Sequence, residues 1–311
     1  MKTVFMGTPE FAVPVLAALL EARHDVAAVY TRPDRPAGRG RKATGPPVKL
    51  FAEERGLSLL QPASLRKEAA QAGISALSPD LIVVAAYGLF LPEATLGLPP
   101  HGCLNVHPSL LPMYRGPSPV AAAILSGDDT TGVTIMRLDE GMDTGPIVAR
   151  RQTAIEPEEN AEELTSRLFH LGAKLLVEVL PDWTEGRIRA VPQDESQATT
   201  TNLLTREDGE IDWRAGADRV ASQVRAYHPW PGAYTRWSGK LLKIAWAATT
   251  GAGGSVGEGA GRVVLTPGGG LGIVAGNGVL EVKRLQLEGR RTLDAAEFLT
   301  GHPDFVGSAL G

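Results

Sequence analysis

One cysteine, Cys103, stands in 311 residues. An intramolecular disulfide framework is therefore excluded, and a reducing, cytoplasmic setting is expected, with Cys103 as a small buried filler. No uncharged apolar run of about 18 residues occurs, so no membrane-spanning helix is expected. The amino terminus passes straight into the strand pattern Lys2–Met6, without the layered composition of a secretion signal. That strand is followed by Gly7-Thr8-Pro9 rather than Gly-x-Gly-x-x-Gly, so a dinucleotide site is not supported. The nucleophile-elbow pattern Gly-x-Ser-x-Gly is missing too. His101 and His107 lie six apart with no third ligand in register, so no metal is expected. The formal net charge of -4 excludes a surface that coats nucleic acid throughout, but it leaves room for a local basic patch.

The chain is long for one core and comfortable for two domains. Its first half alternates strand-like and helix-like segments. Lys2–Met6, Asp25–Tyr30, Leu57–Leu60, Leu81–Ala86, Gly132–Leu138 and Ile147–Ala154 read as strands. Phe11–Glu21, Val48–Arg55, Ser64–Ala76, Pro117–Leu125 and Asn160–Glu185 read as helices, and Thr31–Pro47 as a long polar loop. This rhythm predicts an α/β domain with a Rossmann-like, doubly wound, mostly parallel sheet over residues 1–188. Residues 189–205, with the aperiodic polar run Gln193–Thr201, read as a linker. From 206 to 311 short strands alternate with Gly-rich turns, which suggests a smaller OB-like β-barrel. The glycine-rich stretch Gly251–Gly261 is expected to be a barrel loop, since it lacks the strand–turn–helix setting of a phosphate cradle.

The chemistry begins at Cys103-Leu104-Asn105-Val106-His107-Pro108. On an extended strand Asn105 and His107 share one face, and Leu104 and Val106 the other. Pro108 removes a backbone donor and ends the strand, which puts an amide and an imidazole side by side at its carboxyl end. In open α/β sheets ligands bind in the crevice beyond those ends. A lone pair of this kind is more often structural. However, Asp143, bracketed by Gly141 and Gly145, sits on a loop that lets the backbone turn sharply and aim a carboxylate. Together the three supply an oxyanion donor, a proton carrier and a group to orient it. No serine or cysteine nucleophile is needed, and the set suits direct attack of an external amine on an acyl carbon.

Asn105–Pro112, Tyr114-Arg115-Gly116 and Asp143-Thr144-Gly145 resemble the folate-dependent formyltransferases. Gly7–Ala12, Thr31–Gly40 and His228–Ala233 are similar to the branch of that family whose acceptor is initiator methionyl-tRNA, and the likeness runs over nearly the whole chain. The resemblance implies 10-formyltetrahydrofolate as formyl donor, with Asn105, His107 and Asp143 catalytic. It further implies that Ser109, Leu110, Leu111 and Pro112 form the folate-contacting loop, and that Ala86, Tyr87, Gly88 and Leu89 meet the pterin with their backbone. Pro108 is a departure, being common in the branch that acts on glycinamide ribonucleotide.

Arg32, Arg35, Arg39, Arg41 and Lys42 face one acid, Asp34, in the segment Thr31–Lys42. Most charge-rich loops are merely solvated, yet a loop this long in a compact domain is usually functional or disordered. At the edge of a crevice it would offer local positive charge to RNA. By resemblance, Arg35, Arg39, Arg41 and Lys42 contact the acceptor end of the tRNA, with Arg39 at the centre. Lys240, Lys243, Arg284, Arg290 and Arg291 give the second domain a possible RNA surface. A monomer with no membrane partner is expected. The rival readings are formyl transfer to a small amine, either glycinamide ribonucleotide or an amino-sugar nucleotide, hydrolysis of the formyl donor, and an RNA-binding protein with a retired catalytic domain.

Overall fold

The computed structural model describes residues 1–37, 42–250 and 259–311. Two compact units emerge. The first comprises Met1–Pro119, Thr130–Ala154 and Thr165–Thr201, and the second Val120–Asp129, Ile155–Leu164 and Asn202–Gly311.

In chain order the first half contains β1 (Lys2–Gly7), α1 (Val13–Glu21), β2 (Asp25–Tyr30), β3 (Arg35–Ala37), β4 (Lys42–Thr44), α2 (Pro47–Glu54), β5 (Leu59–Leu60), α3 (Glu68–Leu77), β6 (Leu81–Ala85), α4 (Glu93–Leu96), β7 (Cys103–His107), α5 (Pro119–Ser126), β8 (Thr130–Arg137), β9 (Ile147–Ala154) and α6 (Ala161–Thr184). A seven-stranded sheet runs β5-β2-β1-β6-β7-β8-β9. The first five strands are parallel, while β8 runs antiparallel to β7, and β9 to β8. Both faces of its centre are covered, which is why β6 is apolar without alternation. Phe5, Val29, Val83, Leu104 and Val106 pack with α1, α2 and Phe169, Leu176 and Leu180 on one face. Val4, Met6, Tyr30, Ile82, Val84 and Cys103 form the other, with Ile74, Tyr87 and Leu91.

The chain leaves β1 toward β2 and later returns to β6 on the opposite side of β1. This reversal opens a crevice at the carboxyl ends of β1 and β6. There the Thr8 hydroxyl donates to the Tyr87 carbonyl at 2.8 Å, tying the two strand ends together. Asn105 lies next in line, in register with Val84.

Two expectations change. The segment Thr31–Pro47 is not loop throughout, because β3 and β4 pair as an antiparallel ribbon, Arg35 with Thr44 and Ala37 with Lys42. Strands of three residues carry too little alternation to be read from sequence. The helix expected from Ser64 begins only at Glu68, since the Ser64 hydroxyl accepts the Arg66 N–H in a local turn. The start of α6 follows its sequence more closely. Asn160 accepts the N–H groups of Glu162 and Glu163, while Glu163 accepts the Asn160 N–H, a reciprocal cap that satisfies groups the helix itself cannot.

In the second unit lie α7 (Ala217–Ala226), β10 (Tyr234–Trp237), β11 (Lys240–Thr249), β12 (Val263–Leu265), β13 (Leu271–Ala275), β14 (Gly278–Leu287), β15 (Leu293–Asp294) and α8 (Ala295–Gly301). The strands form an antiparallel sheet ordered β10-β11-β14-β13-β12, with β15 on β14. The register of β11 against β14 shifts around Trp246, as at a β-bulge that bends a sheet. The core gathers Trp213, Val220, Leu242, Ile273, Leu285, Phe298 and Phe305. Of the glycine-rich stretch Gly251–Gly261, residues 251–258 lie outside the described residues.

Candidate active site

β7 delivers Asn105 and His107 to one face, and Leu104 and Val106 to the core opposite. His107 is 4% exposed. Asp143 arrives from the loop between β8 and β9 with φ +55, a left-handed conformation that Asp adopts more readily than most residues. The structure brings all three together. Asp143 Oδ1 stands 3.5 Å from Asn105 Nδ2, and Oδ2 stands 3.6 Å from His107 Nδ1. The Gly116 N–H donates to the same Oδ2 at 2.8 Å.

Both ring nitrogens of His107 face acceptors. Nε2 lies 3.1 Å from the Tyr114 carbonyl, the closer of the two, and that carbonyl accepts from the form that carries a proton on Nε2. Nδ1, facing the carboxylate, is left as the nitrogen that can exchange one. Tyr114, Arg115 and Gly116 therefore flank the trio from both sides.

Holding that tripeptide is the polar segment 193–201, within the expected linker. Thr199 N donates to the Pro112 carbonyl, Arg115 N to the Thr199 carbonyl, and Thr201 N to the Arg115 carbonyl. Thr199 Oγ1 accepts the Tyr114 N–H at 2.8 Å, and Thr201 Oγ1 accepts the Ser118 N–H at 3.1 Å. Arg115 is 5% exposed. A buried guanidinium needs partners, and here Glu195 takes it in a bidentate pair at 2.9 and 2.7 Å. That pairing raises the Arg115 pKa and holds the Glu195 carboxyl below its ordinary range. Gln193 accepts from Arg115 with Oε1, and its Nε2 donates to the carbonyls of Asp143 and Gly145. An aperiodic polar run carries no signal of partners 78 to 85 positions earlier, so the sequence pattern does not reveal these residues.

The segments assigned to folate by resemblance lie at the same edge of the sheet. Ala86 and Gly88 have φ +47 and +77, so the chain turns sharply where β6 ends. The Gly88 carbonyl is engaged by Arg32 Nη1 at 2.5 Å, and the Tyr87 carbonyl by Thr8. These two bonds fix the backbone of the turn. In the second segment Ser109 is buried, and its hydroxyl donates to the Met113 carbonyl at 2.7 Å. Leu111 is buried as well; its N–H donates to Thr134 Oγ1, and its carbonyl accepts from Arg150. Pro112 is likewise buried and Leu110 half-buried. Phe90, Met113 and Met142, each next to one of these segments or to Asp143, are exposed.

The basic segment divides. Arg39 and Arg41 lie outside the described residues, and Arg35 and Lys42 are placed as backbone in the β3–β4 ribbon. Arg32 is committed to Gly88. The lone acid, Asp34, is held below its ordinary pKa by hydrogen bonds from Gln61 and Lys49. In the second unit, Arg284 lies 3.4 Å from Asp294, and Arg291 pairs with Glu297. Lys243 lines a cavity of about 330 Å³ with Arg206, Trp230 and Tyr234. Among the described residues, no cluster of three or more His, Cys, Asp or Glu side chains is placed to hold a metal ion, and no helix is long and apolar enough to cross a membrane.

Comparison with known proteins gives a consistent result. The formyl transferase family model matches residues 1–180, and that of the formyl transferase C-terminal domain matches 203–303. The methionyl-tRNA formyltransferase of Chloroflexus aurantiacus is 48% identical over 308 residues, covering 98% of this chain and 99% of the relative. The chain belongs to the methionyl-tRNA formyltransferase family. It is accordingly an enzyme of formyl transfer. Solved structures share the fold at low identity. HypX from Aquifex aeolicus in complex with tetrahydrofolic acid superposes with a TM-score of 0.67 at 19% identity over 98% of this chain, which spans 48% of HypX. The N-formyltransferase from Helicobacter canadensis, in complex with folinic acid and dTDP-3-aminofucose, gives 0.68 at 16% identity over 91% of this chain and 99% of that one.

Proposed function

We propose that this enzyme transfers the formyl group of 10-formyltetrahydrofolate to the α-amino group of initiator methionyl-tRNA, yielding the formylated aminoacyl-tRNA used to begin translation. The observation that carries the acceptor is the 48% identity over nearly both full lengths with a methionyl-tRNA formyltransferase. The convergence of Asn105 and His107 on Asp143 supports the chemistry.

The acceptor amine, with a pKa of about 7.7–8.0, is largely protonated at neutral pH and must lose a proton before it attacks. Its lone pair forms the new N–C bond as the carbonyl electrons move onto oxygen. Asn105 donates Nδ2–H to that oxyanion, and the charged form of His107 adds to its stabilisation. Asp143, its Oδ2 fixed by Gly116, receives or returns protons beside His107 Nδ1. The first proton leaves to solvent before attack; once the N–C bond has formed, the attacking nitrogen is cationic and gives up a second proton. That proton is delivered to N10 as the bond between the formyl carbon and N10 breaks and the carbonyl reforms, so the products are the formamide and the N10–H folate. The folate contributes the formyl group and a leaving nitrogen. Ala86–Leu89 and Ser109–Pro112 are the residues to hold it, and Arg35, Arg39, Arg41 and Lys42 those to meet the acceptor end of the tRNA.

We assign residues 1–188 to catalysis and 206–311 to an OB-like tRNA-binding domain, in a cytoplasmic monomer, with 189–205 as the connecting segment whose residues 193–201 also brace the site. The test supplies 10-formyltetrahydrofolate labelled in the formyl group together with charged initiator tRNA, glycinamide ribonucleotide, an amino-sugar nucleotide, or no acceptor. Label in the methionyl-tRNA is expected. Preferential labelling of a small amine, or free labelled formate without an acceptor, would overturn the reading.

A further inference from the structure

Gln193 makes four hydrogen bonds, and they leave its amide no alternative orientation. Oε1 accepts from Arg115 Nε at 3.0 Å and Nη2 at 2.9 Å. Nε2 donates to the Asp143 carbonyl at 2.8 Å and the Gly145 carbonyl at 2.7 Å. A flipped amide would set oxygen against two carbonyls and NH₂ against a guanidinium. Arg115 in turn is fixed by its bidentate pair with Glu195, a geometry stronger and more directional than a neutral hydrogen bond.

We infer that Gln193 is a positioning residue for formyl transfer, clamping the Asp143–Gly145 turn so that the Asp143 carboxylate stays aimed between Asn105 and His107. The turn needs such a clamp. Asp143 holds φ +55, its carboxylate contacts to Asn105 and His107 are 3.5 and 3.6 Å, too long to fix the loop, and the 2.8 Å bond from Gly116 anchors the carboxylate tip rather than the backbone that carries it. One amide bridging two carbonyls two residues apart fixes the backbone from which the carboxylate projects. Arg115 couples this clamp to the other side of the site, because its neighbours Tyr114 and Gly116 meet His107 Nε2 and Asp143 Oδ2. Arg115 and Glu195 therefore act through Gln193, and the polar groups of the Arg115 and Gln193 side chains are engaged by protein partners.

The inference rests on the proposed role of Asp143, so the test is a double-mutant cycle. Gln193→Ala and Gln193→Met are each made in the natural chain and in Asp143→Asn, which retains a residue at ease with left-handed backbone. Methionine preserves length and volume if the alanine variant folds poorly. Turnover, KM for each substrate, donor binding and the thermal midpoint are measured. With Asp143 present, loss of Gln193 should lower kcat by about 10- to 100-fold, the scale of a small misplacement of a catalytic group, with both KM values and donor binding preserved. In the Asp143→Asn background the same change should cost almost nothing further, since the group being positioned is already altered. Undiminished kcat in the Gln193 variants, or an equal loss in both backgrounds, would overturn the inference while leaving the role of Asp143 standing. Full turnover in Asp143→Asn alone would instead remove the role of Asp143.

Discussion

His107 Nδ1 and Asp143 Oδ2 face each other across 3.6 Å, although β8 separates the two residues in the chain. His107 cannot turn away, because Nε2 is held by the Tyr114 carbonyl. Nor is the carboxylate free, because Gly116 holds the same oxygen. The pair is fixed from outside itself, which leaves Nδ1 available for proton exchange. Removing it with His107→Ala should reduce kcat by about 10²–10⁴, the usual contribution of a positioned general acid or base. Donor binding should survive, and added imidazole should restore part of the rate. Steady-state kinetics with and without imidazole checks this, and near-full turnover in the variant would remove His107 from the chemistry.

Asn105 sits on the same face and offers a donor rather than a proton carrier. Asn105→Ala should lose about 10²–10³ in kcat, as when one oxyanion donor is deleted. The pH dependence of the remaining rate should keep its shape, since no titrating group has been removed. A changed profile would show that Asn105 acts mainly by orienting Asp143, to which its Nδ2 points at 3.5 Å.

Gly116 tests the segment behind the site. It has φ +103, and a Cβ there would lie 2.7 Å from the Thr201 carbonyl. Gly116→Ala should destabilise the protein by about 1–3 kcal/mol, as for other strained backbone positions. It should also lower kcat by shifting the N–H that holds Asp143. Thermal melting and turnover measured together check this. A loss of stability with untouched kcat would separate the segment from the active site.

The β7 strand was legible because alternation alone sorts Leu104 and Val106 inward and Asn105 and His107 onto the opposite face, and Pro108 marks its end. The parallel sheet was legible because strands covered on both faces, such as Leu81–Ala85, must be apolar throughout. What holds the site together was not. Gln193, Glu195, Thr199 and Thr201 act through hydrogen bonds that include partners 78 to 85 positions away, and such bonds impose no period on either segment. Arg115 shows the same limit. Its sequence neighbours give no hint that it is buried, and only burial makes an acidic partner necessary. The β3–β4 ribbon escaped for another reason, that its strands are too short to display a pattern.

Two arginines of the basic segment should now behave differently. Arg32 is bound to the Gly88 carbonyl, so Arg32→Ala should raise KM for the folate donor by loosening the Ala86–Leu89 turn. Arg39 is proposed to meet RNA phosphate. Arg39→Ala should weaken methionyl-tRNA binding, reduce the slope of log affinity against log salt by about one, and leave donor binding intact. Salt titrations of tRNA binding and donor titrations on both variants give the comparison. An Arg39 variant with an unchanged salt slope would argue against a phosphate contact.

Cys103 is 1% exposed on the covered face of the sheet, and burial pushes its thiol up to about 12. A thiol reacts as thiolate, so labelling near neutral pH should proceed only when the protein opens, and its rate should track unfolding under mild denaturant. The same shift has a consequence for alkaline stability. An unfolded thiol ionises at about 8.5, so the folded state holds the proton more tightly. The resulting stability is complete below about 8.5 and is lost as pH rises through the interval up to about 12. Cys103→Ala has no such proton to lose. Denaturant midpoints compared from about pH 8 to about pH 10 should therefore fall more steeply in the natural chain than in the variant. Parallel curves, or rapid labelling of the native protein, would mean that the thiol is reached by solvent without unfolding.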